Sequence, residues 1–197
     1  IQDELVRYAE SRLFGADFDP FLVRAAQMNV LMGSNGQAQV FNMNSLEFPA
    51  GHLDGTGAAI EAGLGSASPA QARVAPTFDV VMTNPPFGAN IPVTDPNILR
   101  HYELAHVWER SGDGFRNTGI LQASVAPDVL FIERCIAWAK PNGRIGIVVP
   151  AGVLGNPGTE FIRWWILYRC WVLATIDMPA DLFVVEANVD VVTSLLF

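Results

Sequence analysis

Residue types that could do chemistry meet in the run Asn84-Pro85-Pro86-Phe87. The run directly follows the apolar stretch Phe78–Thr83, which is typical of a buried strand. In open α/β sheets, ligands bind beyond the carboxyl ends of the strands, where this run would lie. Because proline lacks an N–H and restricts the residue before it to extended geometry, we expect a stiff turn. That turn would present two acceptors, the amide oxygen of Asn84 and the carbonyl oxygen of Pro85.

Two fixed acceptors suit an exocyclic amine on a heteroaromatic ring. The lone pair of such an amine is delocalised into the ring, so the nitrogen is a weak nucleophile until acceptors hold its two N–H groups. The same acceptors stabilise the positive charge that grows as the nitrogen attacks a methyl group. Phe87 adds a flat face for stacking, since chemistry on a base inside a duplex requires that base to leave the stack. The structural alternative is a proline-stiffened loop with an aromatic anchor.

The elements that must position this turn follow an alternating pattern. Short β-rich runs alternate with helical patterns along the 197 residues, which predicts an α/β sheet with crossover helices. Strands are predicted at 12–17, 39–43, 78–83, 144–149, 172–177 and 189–197. Helices are predicted at 1–10, at 20–33 after an N-cap at Asp19, at 128–140 before the stop Pro141-Asn142-Gly143, and at 159–169. The segments 47–77 and 88–126 have weak periodicity and are predicted to be irregular insertions in a single domain over 1–197.

In this order the segments resemble the N-6 adenine DNA methylase family, which includes the modification subunits of type I restriction systems. The resemblance rests on GADFDPFLVRAAQMNVLMG (15–33), NMNSL (42–46), FDVVMTNPPFG (78–88), FIERCIAWAKPNGRIGIVVPAGVLG (131–155) and the closing IDMPADLF and VVTSLLF. It implies a doubly wound, Rossmann-like, S-adenosylmethionine-dependent methyltransferase sheet, mostly parallel with an antiparallel last strand. The catalytic residues implied are Asn84, Pro85, Pro86 and Phe87, which match the family's Asn/Asp-Pro-Pro-aromatic motif. Protein-glutamine and ribosomal RNA methyltransferases share that motif.

The resemblance also implies residues that hold S-adenosylmethionine. Asp17 matches the acid at a strand end that accepts hydrogen bonds from both ribose hydroxyls, and Phe18 could pack on the cofactor's adenine ring or in the core. Asn44 stands where relatives usually have Asp; it keeps an acceptor oxygen for the adenine amine but loses the charge. Ser45 could line the same pocket, and Asn84 borders the cofactor.

The family's first motif, a glycine-rich turn after the first strand, has no match before Asp17. Residues 1–10 are too short for that turn and the crossover helix that follows it, so we expect a fragment that lacks the first strand, or an incomplete cofactor site. The run LDGTGA (53–58) resembles the missing turn, but no apolar strand precedes it, and it is predicted to be part of an insertion.

The charge of the chain bears on its partners. With 12 Lys and Arg against 20 Asp and Glu, the net charge is −8, whereas a protein that holds DNA by itself usually has a basic face. If double-stranded DNA is the substrate, we expect a separate specificity domain or subunit to supply most of the attraction, and a restriction subunit is a candidate partner. No apolar run reaches the length of a membrane span, so a cytoplasmic protein is expected.

For the remaining polar and aromatic residues, a structural role is an alternative to a functional one. Trp108, Arg110 and Arg116 could contact DNA or belong to an ordinary surface loop. The histidines 101 and 106 do not match a metal-binding helix, and no metal is expected. Cys135 and Cys170 lie in apolar stretches, which predicts buried free thiols. Trp164 and Trp165 are predicted to pack in the core or an interface.

Three functions stay open from the sequence. The first is DNA adenine methylation within a restriction-modification or related defence system. The second keeps the chemistry and changes the substrate to a protein glutamine or an RNA base; the length of 88–126 favours the DNA enzymes over these. The third is a degenerate methyltransferase fold that serves as a scaffold.

Overall fold

The computed structural model of the protein describes residues 2–47, 78–87, 91–179 and 192–197. The chain divides into two compact units, Ile1–Thr77 and Phe78–Phe197. The single domain over 1–197 stays a prediction. The run 53–58, and all of the insertion at 47–77 except its first residue, lie outside the described residues.

The first unit alternates helices and strands. Its elements are α1 (Gln2–Arg12), β1 (Phe14–Asp17), α2 (Pro20–Ser34) and β2 (Gln39–Asn42). The two strands pair in parallel, with Asp17 opposite Asn42. The side chain of Asp19 accepts a hydrogen bond from the Phe21 amide at 2.7 Å, which confirms the predicted N-cap of α2. The helix ends at Asn35, which adopts the left-handed conformation with φ 60°.

The second unit contains a four-stranded sheet and a separate hairpin. Its elements are β3 (Phe78–Thr83), α3 (Pro96–Leu99), β4 (His106–Ser111), β5 (Gly114–Leu121), α4 (Pro127–Trp138), β6 (Ala139–Pro150), α5 (Ala151–Gly155), α6 (Glu160–Arg169), β7 (Thr175–Asp177) and β8 (Thr193–Leu196). The sheet order is β3-β6-β8-β7. Strands β3 and β6 are parallel, and β8 runs antiparallel to both of its neighbours. This confirms the predicted α/β sheet with an antiparallel last strand.

The core of the second unit forms where α4 packs on β3 and β6. Leu130 of α4 and Val149 of β6 are fully buried there, and Val81 of β3 is buried as well. The apolar run of β3 predicted that both of its faces are buried, and this prediction is wrong. Val80 and Met82 are 58% and 73% exposed, because their side chains lie on the face of β3 opposite Val81, and α4 packs on the face that Val81 occupies.

The chain passes from α4 directly into β6, so the helix ends two residues before its predicted end at 140 and the predicted stop at 141–143 lies within the strand. The helix ends at Trp138 and the strand begins at Ala139. Asn142 adopts the left-handed conformation with φ 64°, and the pairing of β3 with β6 shifts across it. The Pro-Asn-Gly run therefore forms a bulge inside the strand, which accommodates the extra residues of β6.

The segment 91–126 is ordered, and the prediction that it is irregular is wrong. Strands β4 and β5 form an antiparallel hairpin joined by Gly112-Asp113, with φ 59° at Gly112. A two-residue loop that starts with glycine matches the twist of a hairpin, so this dipeptide was the signal in the sequence. A Cβ added at Gly114 would lie 2.8 Å from the Trp164 ring, so the hairpin approaches α6 closely.

Two glutamates fasten the segment that leads into this hairpin. The half-buried carboxylate of Glu133 accepts hydrogen bonds from the amides of Glu103 and Leu104, each at 2.9 Å, and desolvation raises its pKa. Glu103 in turn accepts a hydrogen bond from Trp165 Nε1 at 3.0 Å and pairs with Arg169. Helices α4 and α6 thus hold the segment through charge-assisted hydrogen bonds, which hydrophobic periodicity does not reveal.

Both cysteines are free thiols, as predicted, but the predicted burial is confirmed for Cys135 and wrong for Cys170. Cys135 is buried on α4, and burial raises its pKa to about 12, whereas Cys170 is half-buried and its pKa is raised for the same reason. Because the thiolate is the reactive form, we expect iodoacetamide at mildly alkaline pH to modify Cys170 slowly and Cys135 only after unfolding. Peptide mass spectrometry of native and denatured samples measures this; rapid labelling of native Cys135 would contradict the packing of α4.

Candidate active site

The Asn84–Phe87 turn begins where β3 ends, at its carboxyl end, as predicted. Strand β3 runs parallel to β6, and Thr83 pairs with Ile147, so both strands point their carboxyl ends to the same edge of the sheet. Asn84 is exposed at this edge, while Pro85 is buried and Phe87 is half-buried. The turn is therefore anchored by a packed proline and keeps Asn84 at the surface, where a substrate can reach it.

The cofactor residues expected from the sequence fall in both units: Asn84 lies in the second, and the first contains Asp17, Phe18, Asn44 and Ser45. Asp17 ends β1, and its Oδ1 accepts a hydrogen bond from the Asp19 amide at 2.8 Å. Among the described residues, no hydrogen bond reaches its other oxygen. Phe18 is 66% exposed, so its packing in the core, one of the two alternatives, is wrong for the described part of the chain. An acceptor and an aromatic face thus stand side by side at the carboxyl end of β1.

Asn44 and Ser45 are held in a local turn just after β2. The side-chain oxygen of Asn44 accepts a hydrogen bond from the Leu46 amide at 3.1 Å, and its nitrogen donates to Glu47 Oε1 at 2.7 Å. A carbonyl oxygen has two lone pairs, so Asn44 can still accept one more hydrogen bond. Ser45 is buried. The cofactor contacts of both residues stay predictions.

A cavity of about 250 Å³ lies against β1 and α2 in the first unit. Its lining is apolar apart from one carboxylate, and the residues are Leu13, Phe14, Gly15, Ala16, Asp17, Leu22, Ala26, Val30, Ala38 and Val40. Ser45 is not among them. A molecule bound beside this cavity would therefore meet aliphatic groups and the Asp17 carboxylate.

The carboxylate and the aromatic ring at the end of β1 fit a cofactor that carries a ribose and an adenine ring. A carboxylate oxygen that has no other partner among the described residues can accept from ribose hydroxyls, and the exposed Phe18 ring can stack on a base. Both groups stand beyond the carboxyl end of a parallel strand, the position at which α/β folds bind nucleotides.

Sequence reasoning missed Asn42, the last residue of β2. Its side-chain nitrogen donates to the carbonyl oxygens of Asp17 and Phe18, at 3.1 and 2.8 Å. A polar side chain at the end of a strand, opposite an acid that ends the neighbouring strand, was the available signal.

The hairpin residues Trp108, Arg110 and Arg116 make contacts within the second unit. Trp108 stacks against α6, with ring centroids 6.0 and 6.3 Å from two aromatic rings. Arg110 forms an ion pair with Glu160 at 2.6 Å, and Arg116 with Glu109 at 3.6 Å. These pairs are exposed and weak. The ordinary-surface alternative accounts for all three residues.

Residues 2–47, 78–87, 91–179 and 192–197 contain no group of three His, Cys, Asp or Glu side chains that could hold a metal ion. His106 bonds through Nδ1 to the Tyr102 carbonyl oxygen at 2.9 Å. None of the helices in this part of the chain has the length and apolar character needed to cross a membrane.

Solved structures that share this fold include two methyltransferase-related proteins. One is a protein from Listeria monocytogenes described as a class I S-adenosylmethionine-dependent methyltransferase; it is 20% identical, with a TM-score of 0.57 over 93% of this chain and 42% of that one. The other is the M protein of the type I restriction enzyme EcoKI, 20% identical, with a TM-score of 0.55 over 97% of this chain and 31% of that one. The chain thus spans less than half the length of either protein, and at this identity the likeness shows the fold alone.

The fold is that of the class I S-adenosylmethionine-dependent methyltransferases. A comparison with curated protein sequences gives no match. The family model for N-6 DNA methylase, in contrast, matches residues 1–197, the whole chain. The chain therefore belongs to the N-6 DNA methylase family.

Proposed function

We propose that this chain is the catalytic part of a DNA methyltransferase that methylates the exocyclic amine of an adenine flipped out of the duplex. One observation carries the proposal: Asn84–Phe87 stands at the carboxyl end of β3, with Asn84 exposed, in a chain that the N-6 DNA methylase model matches throughout. The exposed Asn84 side chain places an amide acceptor at that edge, where a substrate can reach it.

In the proposed mechanism, the chain's own residues hold and polarise the amine. The side-chain oxygen of Asn84 and the backbone oxygen of Pro85 each accept one N–H of the adenine amine, which localises the nitrogen lone pair. Phe87 stacks on the flipped base and keeps water from one face. The amine nitrogen would receive the methyl group that bound S-adenosylmethionine supplies, and it would release its surplus proton to solvent. The acceptors stabilise the positive charge that develops on the nitrogen.

The proposed cofactor is S-adenosylmethionine, held by the first unit. The Asp17 carboxylate accepts from the ribose hydroxyls, Phe18 stacks on the adenine ring, and Asn44 accepts from the adenine amine. Ser45 follows Asn44 in the same turn. When bound, the cofactor supplies the electrophilic methyl group.

The charge of the chain supports a divided enzyme. With a net charge of −8, this chain has no excess of the Lys and Arg residues through which proteins usually bind the phosphate backbone. We infer that a separate specificity domain or subunit binds double-stranded DNA and selects the site. A restriction subunit would complete a restriction-modification or related defence system.

The substrate class can be tested directly on the full-length protein with its partner subunits. Tritiated S-adenosylmethionine is offered with duplex DNA, RNA and peptides, and the products are hydrolysed and separated. We expect label in N6-methyladenine from duplex DNA. Label in RNA or glutamine would replace the proposed substrate, and cofactor binding without transfer to any acceptor would indicate a scaffold.

A further inference from the structure

One rigid peptide group links the side chain of Asn42 to the carboxylate of Asp17. Asn42 Nδ2 donates to the Phe18 carbonyl oxygen at 2.8 Å. The amide N–H of Asp19 belongs to the same planar peptide unit as that carbonyl, and it donates to Asp17 Oδ1 at 2.8 Å. The two side chains therefore hold opposite ends of one flat group, so a shift at one end moves the other.

Asn42 also extends the pairing of β1 and β2 beyond the strand end. It is the parallel partner of Asp17, and its second donor contact reaches the Asp17 carbonyl oxygen at 3.1 Å. The same oxygen accepts from the Met43 amide at 3.0 Å. Since both acceptors of Asn42 are carbonyl oxygens, only its NH₂ group can face them, and the amide has a single orientation. The turn that carries Asp17 and Phe18 is thus clamped just where the chain leaves the sheet.

We propose that Asn42 is a positioning residue for cofactor binding: it fixes the peptide group that orients the Asp17 carboxylate and the exposed Phe18 ring. This inference rests on the cofactor role of Asp17 in the proposed function. Asn42 acts through the peptide group and touches no reacting atom. Its effect falls on the affinity for S-adenosylmethionine and not on the rate of methyl transfer.

The test compares Asn42→Asp with Asn42→Ala in the full-length protein. The aspartate side chain has the same shape as asparagine, but its carboxylate cannot donate a hydrogen bond. It would place an anionic oxygen against the two carbonyl oxygens that Asn42 bonds. Both variants remove the two hydrogen bonds that Asn42 donates, and we expect each to raise the Kd for S-adenosylmethionine, measured by calorimetry, about tenfold. At saturating cofactor, kcat should stay within about threefold of the wild type. Asn42→Gln keeps the donor and should recover part of the affinity.

Gln39→Ala is the matched control. Gln39 begins the same strand, and its side-chain amide likewise donates to a backbone carbonyl oxygen, that of Glu10, at 3.1 Å. If Asn42 only stabilised the first unit, Asn42→Asp and Gln39→Ala would both lower the melting temperature. Neither would then change the Kd for S-adenosylmethionine at a temperature where the variant is folded. An unchanged Kd in Asn42→Asp, or one that changes only as in Gln39→Ala, overturns the inference.

A third variant separates this inference from the function on which it depends. Asp17→Ala removes the carboxylate itself and should weaken cofactor binding at least as much as Asn42→Asp. If Asp17→Ala leaves Kd unchanged, the proposed cofactor site is wrong. If Asp17→Ala raises Kd and Asn42→Asp does not, the site stands and the positioning role of Asn42 is wrong.

Discussion

Replacing Asn84 with alanine is expected to lower kcat for methyl transfer by about 10²–10³, while the Kd for S-adenosylmethionine stays within about twofold. The side-chain oxygen of Asn84 would act on the amine that receives the methyl group, so its removal costs transition-state stabilisation and little ground-state binding. Tritium transfer to duplex DNA gives kcat, and calorimetry gives the Kd. Asn84→Asp keeps an acceptor and matches the family motif, so it should retain part of the activity.

The control for this prediction is Asn97→Ala. Asn97 is an exposed asparagine in the same unit, on the short helix α3. We expect that substitution to leave kcat and Kd within about twofold of the wild type. If Asn84→Ala loses cofactor binding together with activity, the turn has a structural role. If Asn84→Ala keeps full activity, the acceptor mechanism is wrong.

Replacing Trp165 with alanine is expected to lower the free energy of unfolding by about 3–5 kcal/mol. The Trp165 side chain is 2% exposed on α6, and its indole nitrogen donates to Glu103 at 3.0 Å. The guanidinium of Arg169 lies 4.1 Å above its ring centre. The substitution would leave a large cavity and remove one of the contacts that fasten the segment before β4. Chemical denaturation followed by circular dichroism measures the change.

Trp171→Ala is the matched control for Trp165. Trp171 lies six positions further along the chain and is 92% exposed, so its removal should change the free energy of unfolding by less than about 0.5 kcal/mol. Trp165→Phe keeps most of the buried ring and loses the N–H, which should cost about 1–3 kcal/mol. Equal losses for Trp165→Ala and Trp171→Ala would show that α6 does not bury Trp165 in solution.

Elements with strong local signals were predicted close to their observed ends. Helix α2 was predicted from Asp19 and the proline after it, and the cap hydrogen bond is present. The Asn84–Phe87 turn was placed after its strand, because an apolar run that stops at a proline pair leaves few alternatives. These features depend on neighbours within a few residues, so the local sequence carries the information.

The hairpin of β4 and β5 was not predicted, although Gly112-Asp113 signalled it. The hairpin residues do not alternate cleanly between apolar and polar types, because aromatic rings and polar contacts hold the hairpin in place. Trp164 of α6 packs against it, and Glu133 of α4 binds the segment before it. Contacts that join residues 30 to 66 positions apart leave no periodic mark on the sequence. The bulge at Asn142 was missed for a similar reason, because pairing with β3 carries the strand through a run that favours a turn.

By itself the sequence determined the family's motif order, the strand-turn unit that carries Asn84, and the acid at Asp17, because backbone restriction by proline, helix capping and apolar runs act locally. Tertiary structure alone decided that Phe18, Val80 and Met82 are exposed, and that Asn42 and Asp17 bond to opposite ends of one peptide group. The physical reason is that exposure and hydrogen bonding between strands depend on which segments become neighbours in space. That pairing is settled by the fold as a whole.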